Sequence, residues 1–388
     1  MIILNKKIIF RIVTSNYCIE THLQNTLKLV PNDYFLYVLG DNVSKYNSIF
    51  NNVFFIDVPI KRNFSIFYDV YAIFKLSFLI IKYKPLIIHS LMMKAGLFSA
   101  ILGKMFKTEY RIHTFTGQIW QNETYVKKLF LKFIDIIINN FNTVCLTDSL
   151  SQSIFLYSEN IRTKNNMKLP YLLNGSISGI DFDLFDLEKV KIYKQELLYS
   201  LNIHIDDFII GYIARKSVDK GVLDMLFIFK EVLKINNNLK LLFIGPDESN
   251  GLVDKFLLEH SDINDKIISL DFVPNHHEYL SLCKILCLPS YREGFGSIVI
   301  DAAALNIPTI GYDIYGLTDS INIEYNGKLI PTGNKEIFIS ELNYLIKNKD
   351  VLNALSKNCR NYALEFYDSK LINRELYKFY EKLRWKKY

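Results

Sequence analysis

The chain has 388 residues, which is enough for two domains of roughly 100–200 residues each. Half of the residues are apolar and 22% are charged, and this composition excludes a largely disordered or fibrous chain. The net charge of +6 lies in the first half, because residues 1–190 carry 21 lysines and arginines against 14 aspartates and glutamates. Such an excess favours an anionic partner, which leaves nucleic acid, phospholipid and phosphorylated substrates open.

The cysteines and the apolar stretches indicate a reducing, non-membrane-spanning setting. The cysteines are odd in number and scattered, which argues against a disulfide framework, and they have no zinc-ligand spacing. The apolar stretches Ile73–Ile81 and Leu129–Ile138 fall short of the ~20 apolar residues that span a bilayer. The first residues lack the pattern of a signal peptide. The five cysteines, which we expect to be buried, are Cys18, Cys145, Cys283, Cys287 and Cys359.

The first half alternates compact apolar runs with helical periodicity. Strands separated by helices predict a parallel sheet with helical crossovers. The predicted strands are Lys7–Val13, Tyr34–Val38, Phe54–Val58, Leu86–Ile88, Tyr110–Thr114 and Thr143–Leu146, and the predicted helices are 66–83, 94–106 and 124–140.

Turn residues between about 174 and 205 indicate a linker, and the α/β pattern then restarts. The sequence therefore predicts two doubly wound domains, 1–187 and 188–367, followed by a helical stretch over 368–388. The family resemblance described below implies that this stretch crosses back to the first domain. The predicted strands of the second half are 208–214, 239–244, 267–272, 285–289 and 309–312, and the helices are 222–235, 276–283, 297–305, 335–347 and 350–365.

The run from Pro289 to Gly296 predicts a ligand site. It follows a strand and opens a helix at Ser297, and the free N–H groups at a helix start bind anions such as phosphate. Glu293 lies in this loop, at the edge where doubly wound sheets bind ligands, and Asp301 follows eight residues later. An ordinary strand–turn–helix with an exposed glutamate stays open as the alternative.

A second motif places two cations after an earlier strand. Arg215 follows the strand and Lys220 comes five residues later, just before a helix. A planar guanidinium and a compact ammonium at the C-terminal edge of a parallel sheet can together bind a diphosphate. Two solvated surface cations are the alternative.

Taken in order, these residues resemble the family 4 retaining glycosyltransferases, which have the GT-B fold of two Rossmann-like doubly wound domains facing a cleft. The chain departs from the family pattern at Ala214, where a glycine is usual, and at Asp301, where a glutamate is usual. The matching residues are Arg215, Lys220-Gly221, Gly245, Pro289-Ser290, Glu293-Gly294-Phe295-Gly296, Ala302-Ala303, Pro308 and Gly316-Leu317-Thr318-Asp319.

The resemblance implies a role for each matching residue of the donor site. Arg215 and Lys220 would hold the diphosphate of a nucleotide sugar, and Glu293 would contact the sugar. Asp301 would hold the ribose hydroxyls. The backbone from Gly294 through Phe295 and Gly296 to Ser297 would approach the sugar and phosphates, with Gly245 also at the donor site.

The first half resembles the acceptor domain of the same family more loosely. Its segment 173–181, which contains Gly-Ser-Ile-Ser-Gly, resembles a subgroup from surface-polysaccharide clusters. The family often places a histidine where this chain has Thr116, so His113 is the candidate catalytic histidine, with a buried core histidine as the alternative. The one Asp-x-Asp triplet, 181–183, is assigned to this segment rather than to a metal, so no metal or other cofactor is predicted.

Two predicted helices of the first half combine lysines with aromatic residues. Residues 67–83 and 124–140 can each lie on an anionic membrane surface, or can pack in the core with a solvated lysine face.

The resemblance implies a retaining glycosyltransferase of bacterial surface-polysaccharide synthesis, cytoplasmic or peripheral on the inner face of the membrane. Its donor would be a nucleotide diphosphate sugar and its acceptor a polyprenyl-diphosphate-linked glycan. A degenerate GT-B scaffold protein and a sugar-nucleotide epimerase or phosphorylase of the same fold stay open. Nucleic acid is not an expected partner, because no zinc-finger spacing or RNA-binding aromatic signature is present.

Overall fold

The structure is a computed structural model that describes residues 7–47 and 49–385, with the side chains of the last two residues left out. The chain divides into two compact units, one made of Met1–Gly179 and Ser369–Tyr388 and the other of Ile180–Asp368. Residues 180–187, which the sequence assigned to the first domain, belong to the second unit. The last three residues of the predicted crossing helix, 386–388, lie outside the described part.

The first unit is built on a six-stranded parallel sheet with the order β3-β2-β1-β4-β5-β6. Successive residues of its central strand enter opposite cores, since Ile9 and Val13 pack on one face and Phe10 and Ile12 on the other. A parallel sheet that is covered on both faces requires such continuous apolar strands. The strands are β1 Lys7–Ser15, β2 Tyr34–Asp41, β3 Val53–Asp57, β4 Ile87–Leu91, β5 Tyr110–Phe115 and β6 Val144–Thr147.

Helices connect these strands, and the longest of them ends where the sequence predicts. The α3 helix closes at Lys84, which has a positive φ of 45°, and Pro85 follows and cannot continue a helix. The helices are α1 Asn16–Cys18, α2 Gln24–Leu27 (with a π-helical turn Ile19–Leu23 between them), α3 Ile66–Tyr83, α4 Met93–Met105, α5 Tyr125–Phe141 and α6 Leu150–Ser158.

The second unit repeats the architecture with a parallel sheet of the order β12-β11-β10-β7-β8-β9. In both sheets the first strand of the unit lies between its second and fourth strands, so the strand order reverses there. Ligands of doubly wound sheets bind at this switch point. The strands are β7 Phe208–Ile213, β8 Leu239–Ile244, β9 Ile267–Leu270, β10 Ile285–Leu288, β11 Thr309–Tyr312 and β12 Gly327–Ile330.

Several elements of the second unit were not predicted from the sequence. The helix α7, which has 14 residues, lies in the stretch that was interpreted as a linker, and half of its residues are charged or polar. The edge strand β12 has four residues and includes Lys328, so its apolar signal is weak. The helices are α7 Leu187–Ser200, α8 Val222–Leu233, α9 Leu252–Glu259, α10 His276–Leu280, α11 Ser297–Ala304, α12 Leu317–Ser320, α13 Lys335–Lys347 and α14 Lys349–Tyr367.

The C-terminal helix α15, Ser369–Trp385, belongs to the core of the first unit. The Tyr377 ring lies 5.1 Å from the Tyr34 ring, and the Asn373 side-chain amide donates to the Leu29 carbonyl at 2.6 Å. Leu376, Tyr377, Tyr380 and Leu383 are all less than a tenth exposed. All five cysteines are free thiols in buried positions, as the sequence predicts.

Candidate functional site

The candidate site lies in the second unit, where the neighbouring strands β7 and β10 end. The loop after β7 and the loop after β10 touch, because the Tyr291 amide donates to the Asp219 carbonyl at 3.0 Å. Gly221 has a φ of +67°, and a Cβ there would lie 1.7 Å from the Pro289 carbonyl oxygen. A residue without a side chain is therefore required at 221 for the two loops to approach.

The two predicted site residues Lys220 and Glu293 form an ion pair in the free protein. The Lys220 Nζ lies 2.7 Å from Glu293 Oε2, and both side chains are about one-seventh exposed. The same ammonium donates to the Arg292 carbonyl at 3.1 Å. The pair therefore joins the β7 loop to the β10 loop by charge as well as by packing.

Arg215 is held by two carboxylates at the same edge. Its guanidinium pairs with Glu248 and, at 3.1 Å, with Asp219. Asp219 also pairs with Arg292 at 2.5 Å. Burial alone would raise the pKa of Asp219, but the Ser217 hydroxyl and the surrounding cations outweigh burial and hold this pKa well below its usual range. The site therefore gathers three cations and three carboxylates in one cluster.

Two tyrosine hydroxyls form hydrogen bonds at the two loops. The single hydrogen of the Tyr212 hydroxyl, on β7, is shared between the carbonyl oxygens of Arg215 and Lys220, each 3.1 Å away. The Tyr291 hydroxyl donates to Asp224 at 2.6 Å. Burial and this hydrogen bond raise the pKa of Tyr291 to about 12, so it stays a donor at neutral pH. The charged residues are thus held by loops whose backbone and side chains are tied to tyrosine hydroxyls.

The helix α11 begins beside the cluster. Its first residue is Ser297, and Gly296 precedes it with a φ of +78°. The Phe295 side chain is buried and packs against the Tyr367 ring at 5.5 Å. Of the predicted donor residues 294–297, Phe295 can therefore offer a ligand only its backbone. The free N–H groups of the first turn add partial positive charge at this edge.

The other two predicted donor residues are Gly245 and Asp301. Gly245 directly follows β8, and its backbone lies against Ala214. A Cβ at Gly245 would lie 1.9 Å from the Ala214 carbonyl oxygen, so the close approach of these two strand ends requires a glycine. Asp301 lies on α11, and its Oδ2 is 3.0 Å from the His276 Nε2 of α10. This contact gives the short aspartate side chain a fixed direction.

The structure places His113 in the other unit, in a core environment. The ring is 1% exposed, its Nδ1 lies 3.0 Å from the Ser90 hydroxyl, and it packs on Gly96 of α4. Burial lowers the pKa of His113 to about 3, so the ring is neutral. These are the properties of a core histidine, and the catalytic role of His113 stays a prediction from sequence.

Four residues of the site were not singled out from the sequence. Asp219 and Arg292 adjoin the predicted Lys220 and Glu293, and that adjacency was an available signal. Glu248 and His276 come from loops that meet the site only in three dimensions. Within residues 7–47 and 49–385, no group of three or more histidine, cysteine, aspartate or glutamate side chains is arranged to hold a metal ion.

The fold of the chain is GT-B. HepE from Anabaena, solved in complex with UDP-glucose, aligns with a TM-score of 0.75 at 15% identity, over 97% of this chain and 99% of that one. Sucrose-phosphate synthase from Thermosynechococcus elongatus aligns with a TM-score of 0.79 at 16% identity, over 97% of this chain and 99% of that one. At these identities the likeness establishes the class of fold only.

Sequence comparison matches part of the chain to a family model and most of it to a curated relative. Residues 194–363 match the family model "Glycosyl transferases group 1". The capsular polysaccharide biosynthesis glycosyltransferase CapM of Staphylococcus aureus is 27% identical over 88% of this chain and 87% of its own length. Much of the second unit is therefore similar to the group 1 glycosyltransferases, which are the family 4 enzymes of the resemblance described above.

Proposed function

We propose that the protein is a retaining glycosyltransferase that moves a sugar from a UDP-linked donor to a glycan on a polyprenyl diphosphate. The observation that supports this most is the meeting of Arg215, Lys220 and Glu293 at the switch point of the second sheet. Sequence separates the first two from the third by more than seventy positions, yet Lys220 and Glu293 are in contact.

In the proposed reaction the bond between the anomeric carbon and the donor phosphate breaks. Negative charge then develops on the leaving diphosphate. Arg215, Lys220 and the first N–H groups of α11 supply fixed positive potential at this edge, and preorganised groups stabilise developing charge without reorganisation.

The acceptor hydroxyl forms its bond to the anomeric carbon on the face that the diphosphate leaves. The hydroxyl proton passes to an oxygen of the departing phosphate, so the step balances without a protein base. Glu293 contacts the sugar in this proposal, and its pairing with Lys220 orients its side chain. Asp301, directed by His276, accepts hydrogen bonds from the ribose hydroxyls.

The choice of donor and acceptor follows the relatives. An Escherichia coli relative, 25% identical over 77% of this chain and 76% of its own length, is a UDP-Gal:alpha-D-GlcNAc-diphosphoundecaprenol alpha-1,3-galactosyltransferase. HepE was solved with UDP-glucose. We therefore assign to this chain a UDP-linked hexose or N-acetylhexosamine as donor and an undecaprenyl-diphosphate-linked glycan as acceptor, for a surface polysaccharide.

The surface of the first unit fits a lipid-linked acceptor. Helix α3 exposes an aromatic face, which we define as Phe67, Tyr71, Phe74, Phe78 and Ile81. These residues repeat every three or four positions, and Phe67 is 89% exposed while Phe74 is 70% exposed. Lysines accompany the rings on the same helix, since Lys75 lies over Tyr71 and Lys82 over Phe78.

Helix α5, which packs on α4, carries the same pattern. Val126, Phe130 and Phe133 repeat at the same spacing and are all more than half exposed. Most aromatic residues of these two helices are thus exposed, which favours the membrane-surface interpretation over packing in the core. Exposed rings among lysines are typical of a surface that lies on anionic lipid. Over the part of the chain that the structure describes, no helix is both long and apolar enough to cross a membrane.

A donor screen tests the site. We expect one UDP-sugar, among UDP-, GDP- and TDP-sugars, to raise the apparent melting temperature, since a ligand at 100 times its Kd adds about 2.7 kcal/mol of stability. The double variant Arg215→Ala/Lys220→Ala should lose this shift, whereas the exposed control Lys255→Ala should keep it. An undiminished shift in the double variant would contradict the phosphate assignment.

A vesicle experiment tests the aromatic face. Phe67→Ser/Phe74→Ser should weaken co-flotation with vesicles that contain anionic lipid at least tenfold, because each buried phenylalanine contributes about 1.5–3 kcal/mol. The matched control is Ile192→Ser/Tyr199→Ser on α7, which removes two similarly exposed apolar side chains from the second unit. Equal binding by the two double variants would contradict a membrane role for this face.

A further inference from the structure

The first unit contains a cavity at its own switch point, which neither the family match nor the donor site explains. The cavity is small and partly open to solvent. It lies beside Arg11 of β1 and His89 of β4, which are paired across the two strands where the sheet order reverses. Ile372 and Leu376 of α15 also line it.

Arg11 is a buried cation without a carboxylate partner. Its side chain belongs to a residue that is only 4% exposed, and within the part of the chain that the structure describes it forms no ion pair. Both of its hydrogen bonds are made by Nη1, to His89 Nδ1 at 2.7 Å and to the Tyr380 hydroxyl at 3.0 Å. The remaining N–H groups on Nε and Nη2 have no protein acceptor there. An unpaired buried charge is costly, so this arrangement favours a bound counter-charge.

The tautomer of His89 follows from Arg11. A guanidinium can only donate, so His89 Nδ1 must accept, and the proton of the neutral ring is on Nε2. Burial and the adjacent guanidinium lower the pKa of His89 well below its usual value, so the ring adds no charge of its own. The Nε2–H then donates to the Thr114 hydroxyl oxygen at 2.7 Å.

Two hydroxyl groups that line the cavity have hydrogens available to donate to a ligand. Because the Thr114 oxygen accepts from His89, its own hydrogen is available to donate. The Ser176 oxygen likewise accepts, from the amides of Ser178 and Gly179, and its hydrogen is available. Both hydroxyls line the cavity together with Arg11, and no lining residue carries a carboxylate. The cavity therefore offers a cation and several donors but no anion to receive them.

We propose that this cavity is an anion site of the first unit that binds a phosphoryl group through the Arg11 guanidinium and the hydroxyls of Thr114 and Ser176. A phosphoryl oxygen accepts hydrogen bonds only, and an arginine fork matches its geometry. The group comes either from inorganic phosphate or from the diphosphate of a prenyl lipid. Because Arg11 also bonds to Tyr380, the bound anion stabilises the docking of α15.

Calorimetric titration of the full chain with inorganic phosphate tests the site. Every sample carries Arg215→Ala/Lys220→Ala, so the cations of the second unit do not contribute. We expect saturable binding with a Kd of about 1 mM or tighter, which corresponds to about 4 kcal/mol. Arg11→Gln should weaken this binding at least tenfold. The exposed control Lys164→Gln should leave it unchanged.

A second pair of variants keeps the test independent of folding defects in Arg11→Gln. Thr114→Val has nearly the same shape but no hydroxyl and should weaken phosphate binding several-fold, whereas Thr114→Ser should bind as the parent does. Repeating the titration with a short prenyl diphosphate distinguishes the sources, and dependence on Arg11 with either ligand supports the site. The absence of saturable binding, or equal affinity in Arg11→Gln, Thr114→Val and the parent, would overturn it.

Discussion

The ion pair between Lys220 and Glu293 gives the sharpest quantitative prediction of the structure. Two unit charges 2.7 Å apart attract by about 6 kcal/mol at an effective dielectric constant of about 20. Both side chains are largely buried, so the cost of removing them from water cancels part of this attraction. We expect a double-mutant cycle of Lys220→Met and Glu293→Gln to give a coupling energy of about 2–4 kcal/mol in the free energy of unfolding.

The matched control is an ion pair with the same nitrogen-to-oxygen distance but greater exposure to solvent. Lys234 and Glu231 also lie 2.7 Å apart, yet the lysine is 62% exposed. The cycle of Lys234→Met and Glu231→Gln should give about 0.5 kcal/mol or less, as exposed pairs do.

Urea unfolding is the assay, and the two units need separate signals. Both tryptophans, Trp120 and Trp385, belong to the first unit, so tryptophan fluorescence follows that unit alone. Far-ultraviolet circular dichroism follows both units and reveals the transition of the second. Equal coupling in the two cycles would refute the inference that burial, rather than distance alone, makes the site pair strong.

Three further predictions concern individual residues. Burial raises the pKa of Asp135 from 3.8 to about 7, so the folded state binds the proton more tightly than the unfolded state and stability falls as pH rises. From pH 5 to pH 8 the free energy of unfolding should fall by about 2–3 kcal/mol for this reason. Asp135→Asn should remove this pH dependence in urea unfolding followed by tryptophan fluorescence. The same pH dependence in Asp135→Asn and the parent would contradict a protonated carboxyl in the core. Gly221→Ala should destabilise the second unit by about 3 kcal/mol or more, because its Cβ meets a backbone carbonyl at 1.7 Å, whereas Gly251→Ala, with a similar φ and open space around it, should cost about 1 kcal/mol. Equal costs would mean that the loops separate freely. His276→Ala should weaken binding of UDP threefold to tenfold in calorimetry if it directs Asp301, and an unchanged affinity would remove Asp301 from the ribose site.

The strands and long helices were predictable because their signals are local. The α3 helix was predicted from its periodicity and from Pro85 with the observed bounds of 66 and 83. The β12 strand was not, because four residues with a lysine among them show no local pattern, and pairing with β11 along their whole length makes them a strand.

Some residues of the candidate site were likewise predictable from the sequence, and others were not. Lys220 and Glu293 were predicted from motif order, and the structure brings them into contact. The partners Glu248 and His276 were not predicted, because their positions depend on which strand ends are neighbours in space. For His113, a family pattern suggested a pocket, whereas burial against Gly96 is a property of packing that the sequence alone does not encode.

The most direct test of the proposed activity is the initial rate of sugar transfer by the purified protein. The assay combines the UDP-sugar that stabilises the protein with an undecaprenyl-diphosphate-linked acceptor and compares the parent with Glu293→Ala and Glu231→Ala. We predict transfer by the parent and by Glu231→Ala, and a rate at least about 100-fold lower for Glu293→Ala, as expected when a transition-state contact is removed. Full transfer activity in Glu293→Ala would contradict the assignment of the site.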